Sequence, residues 1–383
     1  MSNAKTVELG EVCKIVMGQS PPSSSYNTAK DGLPFFQGKT DFGELYPTAR
    51  YFCNEPTRVA YGGDVLISVR APVGPTNLAR EQCCIGRGLS ALQAQENLDS
   101  IYLLFFLRYF EPQLARLGQG STFEAVNRDD LETLQIPLPA ISEQKRVAVL
   151  LEQADRLRRT RRYALELSDT FLPAAFLELF GDHVRNPKGF RITELGEFLS
   201  FVTSGSRGWA EYYVPNGDRF IRSLDVKMNY ISDEDAAFVN APEGAEADRA
   251  CVRTDDVLLT ITGSQIGRVA PVPARLDGSF VSQHVAILRL KPGFLPVFVS
   301  MFMSLKSCGQ REIARLQYGQ TKPGLSLGQI SEFKISVPPL PLQQKFATLV
   351  ERHERLRATQ REALRQAEHL FQTLLHRAFN QES

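Results

Sequence analysis

The sequence predicts an α+β protein: two mixed α/β heads in tandem repeat with a pseudo-two-fold relation, each followed by a long helix. Three observations carry this. The stretch QKRVAVLLEQADRLRRT at 144–160 recurs as QQKFATLVERHERLRAT at 343–359, with eight of seventeen positions identical. Short β-branched runs bounded by Gly, Pro and Asn clusters fill the chain ahead of each copy. Apolar residues then recur at steps of three and four through each copy.

Composition narrows the class. The 383 residues are 43% apolar and 23% charged, an ordinary globular profile, and at this length more than one core is expected. A net charge of +1 argues against a uniformly basic coat but leaves room for local basic faces. The cysteines at 13, 53, 83, 84, 251 and 308 show no C-x-x-C spacing, which points to reduced thiols rather than a zinc or disulfide scaffold. No signal-like stretch opens the chain, and the longest apolar run, Ile101–Leu107, is too short to span a bilayer. A soluble, cytoplasmic protein without a membrane partner is expected.

The repeat extends beyond the helices. Ile136–Pro139 faces Ile335–Pro338, GST at 120–122 faces GQT at 319–321, and Phe180 faces Phe379, all 199 residues apart. Nearer the start, LGE at 9–11 matches LGE at 195–197, and GDVL at 63–66 resembles DDVL at 255–258. The separation therefore grows along the chain, as insertions in surface loops would make it. The implied segments are a first head over 1–141, a helix over 142–180, a second head over 181–340 and a helix over 341–380.

Within the heads, Asp64–Val69, Asp256–Ile261 and Val285–Leu290 read as strands, and Ser100–Leu117 as a helix with Leu295–Leu316 as its counterpart. The first long helix carries a stripe of Val147, Leu150, Ala154, Leu157, Arg161, Ala164, Ser168 and Phe171. The second carries Phe346, Leu349, His353, Leu356, Gln360, Ala363, Ala367 and Leu370. Pro139, Pro338, Pro339 and Pro341 stand where helices start, and Gly181 and Pro187 end the first. Each stripe could pack on its own head or on the other stripe; two matched stripes in one chain favour a coiled-coil pair. From Glu143 to about Leu172 such a helix spans roughly 45 Å.

The sequence offers no catalytic constellation. It has no phosphate-loop or dinucleotide fingerprint, no H-E-x-x-H pair, and none of the Pro-Pro-aromatic motif of amino-methyltransferases. What stands out are Gly-rich loops carrying groups that can address bases or phosphates. In the first head these supply Gln37, Lys39, Arg70, Asn77, Arg87, Ser121 and Thr122. In the second they supply Arg207, Arg222, Ser264, Gln265, Arg268, Gln283, His284, Gln320 and Lys322. For Arg70 or Gln265 alone a solvated loop explains the residue equally well. The arginines at 156, 158, 159, 161 and 162 sit near Glu152, Asp155 and Glu166 and read as a solvated helix face.

The order of motifs resembles the specificity subunit of type I restriction-modification systems. MGQSPPSSSYN, GLPFFQGKTDFG and the GDVLISVRAPVG and IGRGLSAL runs carry the likeness in the first head. The proline-led helix, the LFGDHVRNPKGF junction, LGEFLSFVTSGSR, GQTKPGLSLGQI and ISVPPLPLQQK continue it. One departure is Leu342-Gln343, where Glu143-Gln144 of the first copy keeps the family's Glu-Gln. The resemblance implies a non-catalytic reader of double-stranded DNA, with two target-recognition heads and an antiparallel helical spacer that sets the gap between half-sites. It also implies two modification subunits that methylate adenine and two restriction subunits. S-adenosylmethionine, ATP and Mg would sit on those partners, and this chain would carry no cofactor or metal. The alternatives are a recognition module of another restriction or methylation assembly, or a coiled-coil scaffold with two protein-binding heads.

Overall fold

The computed structural model describes residues 5–118, 125–317 and 324–380. The chain forms two units: residues 1–164 with 360–383, and residues 165–359. The first unit runs β1 (Lys5–Glu8), β2 (Cys13–Met17), β3 (Leu33–Phe36), β4 (Val65–Ser68), β5 (Thr76–Leu78), β6 (Cys83–Ile85), β7 (Leu89–Ala94), α1 (Ser100–Gly118), β8 (Gln135–Leu138) and the start of α2 (Ile141–Phe180). Strand order β2-β7-β4-β5 makes one antiparallel sheet, and β1 pairs with β8. A second sheet places β3 beside β6, flanked by Tyr51–Cys53 and Val59–Ala60.

The second unit repeats this plan. It contains β9 (Arg191–Glu194), β10 (Leu199–Ser204), β11 (Asp218–Ile221), β12 (Val257–Thr260), β13 (Val269–Pro271), β14 (Phe280–Val281), β15 (Val285–Leu290), α3 (Pro296–Ser304), α4 (Gly309–Leu316), β16 (Lys334–Val337) and the start of α5 (Leu340–Phe379). Its sheets follow the same orders: β10-β15-β12-β13, β9 with β16, and β11 beside β14. The helix expected over Leu295–Leu316 is broken into α3 and α4. Gly309 opens α4 so close to α3 that a Cβ would lie 2.3 Å from the Cα of Met303.

The first turn of each long helix holds one fully buried glutamine. Gln144 Oε1 accepts from the N–H of Asp99 at 2.9 Å, and its Nε2 donates to Asn97 O and Pro139 O, both at 2.9 Å. Gln343 does the same: Oε1 accepts from Leu295 N at 2.9 Å, and Nε2 donates to Gly293 O at 2.9 Å and Pro338 O at 3.0 Å. One amide thus ties the strand-to-helix loop of the head, the proline turn and the long helix together. The repeat separation of 199 residues keeps this residue in both copies.

The face that the long helices bury only partly matches the stripe that periodicity suggests. Among the expected seam residues Val147, Ala154, Phe346 and His353 are buried and Leu349 half-buried, whereas Leu150, Leu157, Phe171, Leu356 and Leu370 are exposed. The neighbours Leu151, Leu172 and Phe371 are buried in place of Leu150, Phe171 and Leu370. The cause is a third packing surface, the head itself. In the first unit Val147, Ala148, Leu151 and Ala154 share a core with Tyr102 and Phe105 of α1 and with Phe371, Leu375 and Phe379 of α5. In the second, Leu172, Phe176 and Phe180 share a core with Phe298 of α3 and Phe346 of α5. Helix therefore packs on head and on helix at once.

Within each unit the two helices run antiparallel. In the first, the Arg158 guanidinium lies 4.1 Å over the Phe371 ring and Arg162 pairs with Glu368 at 2.8 Å. In the second, His353 Nε2 donates to Ser168 O at 3.0 Å, and farther along Phe180 packs on Phe346. The arginine run is not the solvated face expected of it. Asp155, 1% exposed, is held by Arg158 at 2.6 Å, Arg159 at 3.0 Å and Arg108 of α1 at 3.3 Å. A buried carboxylate needs such partners.

All six cysteines are free thiols. Burial pushes the Cys13 and Cys83 thiols up to about 12, which makes them poor nucleophiles. Among the described residues no helix is long and apolar enough to cross a membrane.

Two measurements check these packing claims. Gln144→Leu leaves Asp99 N–H, Asn97 O and Pro139 O unpaired, and should cost about 3 kcal/mol or more in urea unfolding. His183 is buried against Phe302 with Nδ1 2.7 Å from Ser336 Oγ, and burial pushes its pKa below the usual 6.5. Its folded form therefore stays neutral while the unfolded chain takes up a proton. Its contribution is complete above pH 6.5 and is lost as the pH falls toward the depressed value. His183→Gln should flatten the fall in urea midpoint between about pH 7.5 and pH 5.5.

Candidate nucleic-acid interface

Strand register brings the polar loops of each head to one end of its sheet. In the first head Met17 at the end of β2 pairs with Ser90, and Ser68 at the end of β4 pairs with Leu89, both at the start of β7. The loop after β2, the loop after β4 and the turn before β7 therefore emerge side by side. In the second head Ser204 pairs with Ala286 and Thr260 with Val285, which puts the corresponding three loops together.

The parallel pair β3–β6 adds a fourth loop. Phe36 stands beside Ile85, and Gly86 N donates to Phe36 O at 2.8 Å, so the segment after β3 meets the turn at 86–88. The approach is so tight that a Cβ on Gly88 would sit 2.3 Å from Gln37 O. Glycine is required there for closeness. The second head repeats the contact, with Ser282 N donating to Ile221 O at 3.0 Å.

These loops display most of the expected residues. Gln37, Lys39, Arg70 and Arg87 are exposed at the loop end of the first head, and none forms an ion pair among the described residues. Arg70 also bridges to Ala125, which brings the chain after α1 to the same end. In the second head Arg207, Gln283 and His284 line one cleft of about 400 Å³ with Ser204, Gly205 and Thr262. There His284 Nδ1 lies 2.5 Å from Thr262 Oγ1, and its Nε2 lies 3.1 Å from Gln283 Nε2. The imidazole thus bridges the threonine hydroxyl and the glutamine amide across the cleft. Ser264, Gln265 and Arg268 belong to the neighbouring β12–β13 loop, where the Gln265 carbonyl oxygen is buried without a hydrogen-bond partner.

Two expected contacts are structural instead. Asn77 is 1% exposed and clamps Gly43, accepting from its N–H at 3.1 Å and donating to its carbonyl at 3.0 Å. Its second N–H donates to Thr76 O at 2.9 Å, so the amide is spent on the fold rather than free for a base. Arg222 is occupied by the buried Asp225 at 2.9 Å and by the Asp235 carbonyl at 2.6 Å. Ser121, Thr122, Gln320 and Lys322 lie outside the described residues. Sequence reasoning passed over Ser20, Ser204 and Thr262 as individuals. Aligning the two heads at their strand ends, rather than by residue identity, is the signal that finds them.

The chemistry on offer is hydrogen bonding and positive charge on mobile-length side chains above a rigid sheet. Among the described residues no group of three or more acidic, histidine or cysteine side chains could hold a metal.

Comparison with known proteins gives this end of the fold a context. A family model described as the type I restriction modification DNA specificity domain matches residues 1–167 and 225–368. The putative type I restriction enzyme MjaX specificity subunit of Methanocaldococcus jannaschii is 45% identical over 161 residues, covering 41% of this chain. That match spans 38% of the relative, well under two thirds of its length. The type I restriction enzyme MjaIX specificity subunit of the same organism is 24% identical over 317 residues, covering 77% of this chain and 71% of the relative. A crystal structure of a type-I restriction-modification system S subunit from M. genitalium shares the fold at a TM-score of 0.64 and 16% identity. It covers 100% of this chain and 97% of that one.

The division between structural and displayed residues is measurable. Asn77→Leu should lower stability by about 1–3 kcal/mol, because the three hydrogen bonds of the buried amide, to Gly43 N–H, Gly43 O and Thr76 O, are lost. Arg70→Ala should stay within about 0.5 kcal/mol of the parent in the same unfolding assay.

Proposed function

We propose a function from one premise: the chain belongs to the type I restriction-modification DNA specificity family. It is the DNA-reading subunit of such a system and carries no catalysis of its own. Each head reads one half of a bipartite, asymmetric target in double-stranded DNA, and the paired helices fix the gap between halves. Two modification subunits bind the chain and methylate adenine at the sites it selects, with S-adenosylmethionine on them. Two restriction subunits add ATP- and Mg-dependent cleavage.

The observation that carries this reading is the repeated loop end. In both heads, arginines without an ion pair among the described residues, together with amide side chains, converge where three strand ends meet, a surface suited to phosphates and base edges. Each long helix has 40 residues, about 60 Å at 1.5 Å per residue. That exceeds one turn of DNA, about 34–36 Å, as a bipartite target with an uncontacted spacer requires.

The exposed apolar positions support the partners. Leu157 and its repeat equivalent Leu356 are identical in both helices yet 41% and 64% exposed. Leu150 is also exposed, and its equivalent Leu349 is only half-buried. Retaining leucine on a wet face of both copies suits two copies of one partner, each docking on an equivalent patch.

Three experiments test the reading. Purified with its modification subunits, the chain should enrich one bipartite sequence from random duplexes, and host DNA should show adenine methylation at that motif; no enrichment would refute the reading. Leu157→Glu and Leu356→Glu should each remove one modification subunit from the complex by native mass, with both removed in the double variant. Inserting four residues in register into α2 and α5 should lengthen the tolerated gap, and an unchanged gap would contradict the measuring role.

A further inference from the structure

The two heads place a positive charge at the same point of the fold but anchor it on different loops. Gly18 N donates to Leu89 O at 2.9 Å and Gly205 N to Val285 O at 3.4 Å, so the register equates Gly18 with Gly205. Two residues on, Ser20 corresponds to Arg207. The turns correspond in the same way, since Leu89 N donates to Gly86 O and Val285 N to Ser282 O, both at 3.0 Å. Arg87 therefore corresponds to Gln283.

The arrangement is a swap. The first head has serine on the loop after β2 and arginine on the turn before β7. The second has arginine on the loop after β10 and glutamine on the turn before β15. In the first head the two positions meet, with Arg87 N donating to Ser20 Oγ at 3.5 Å. In the second, Arg207 and Gln283 line one cleft, whose other walls include the hydroxyls of Ser204 and Thr262. Each crossing carries one arginine, and neither arginine has an ion-pair partner among the described residues.

What stays constant across the swap is charge, and what changes is the direction of approach. Reading a base edge needs a guanidinium fork held at one angle, so moving it to the facing loop would change what is read. A phosphate accepts charge and hydrogen bonds from any side. We propose that this crossing is, in each head, a clamp for one DNA backbone phosphate, with the charge supplied by Arg87 in the first head and Arg207 in the second. Base choice is made by other loops. This rests on the DNA-reading function proposed above.

The test uses the full chain assembled with its modification subunits and measures duplex binding by fluorescence anisotropy across a salt series. Arg87→Ala or Arg207→Ala should weaken binding to the selected duplex and to its single-base variants by one common factor, about tenfold. Each should also lower the log–log salt slope by about one. Combining Ser20→Arg with Arg87→Gln, the second head's arrangement, should restore the affinity. A loss confined to one base position would make the arginine a base reader and overturn the clamp. An unchanged salt slope, or no rescue by Ser20→Arg, would overturn it as well. Failure of the underlying reading shows separately, as a wild-type complex that prefers no sequence.

Discussion

A single buried amide sets the geometry on which everything else depends. Gln144 and Gln343 each satisfy three backbone groups from the head loop and the proline turn, at the point where a long helix leaves a head. Only a side chain with an acceptor and a two-proton donor can make that set of bonds. Glutamate in its place could not donate, and a leucine would orphan all three groups. The helix is thereby locked in direction relative to the sheet whose loops carry the candidate contact residues. Pairing the requirement with the repeat explains why glutamine survives in both copies while the residue before it changes from Glu143 to Leu342.

The same logic separates the polar residues of the heads into two groups. Buried ones are spent on the fold: Asn77 holds Gly43, Asp225 holds Arg222, and Asp155 gathers three arginines. The displayed candidates, such as Arg70 and Arg87 in the first head and Arg207 in the second, sit at one sheet end of each head and form no ion pair among the described residues. A protein with net charge +1 can grip a polyanion if its cations are placed where the ligand lies and neutralised elsewhere.

Much of this was legible in the sequence, and the failures have physical causes. The strand over Val285–Leu290 falls where alternation and β-branching place it, and the long helices begin at the proline turns that announce them. The buried face of those helices was misread wherever two apolar residues are adjacent: Leu150 with Leu151, Phe171 with Leu172, and Leu370 with Phe371. A three-and-four step fits either member of such a pair, and only the presence of the head decides between them. Asn77 and Arg222 were misassigned for a related reason. A polar residue in a Gly-rich loop has the same sequence signature whether it faces solvent or caps its own backbone. Sheet-end neighbours such as Ser20 and Thr262 became visible only when strand register supplied distance in space.

The core of the first unit is closed by a segment far along the chain. Phe371, Leu375 and Phe379 pack among Tyr102, Phe105 and Phe106, although the whole of the second unit, residues 165–359, lies between them in sequence. Each unit therefore depends on both long helices for its core. A truncation after Thr359 would leave the second unit's residues in place and strip apolar cover from the first unit instead.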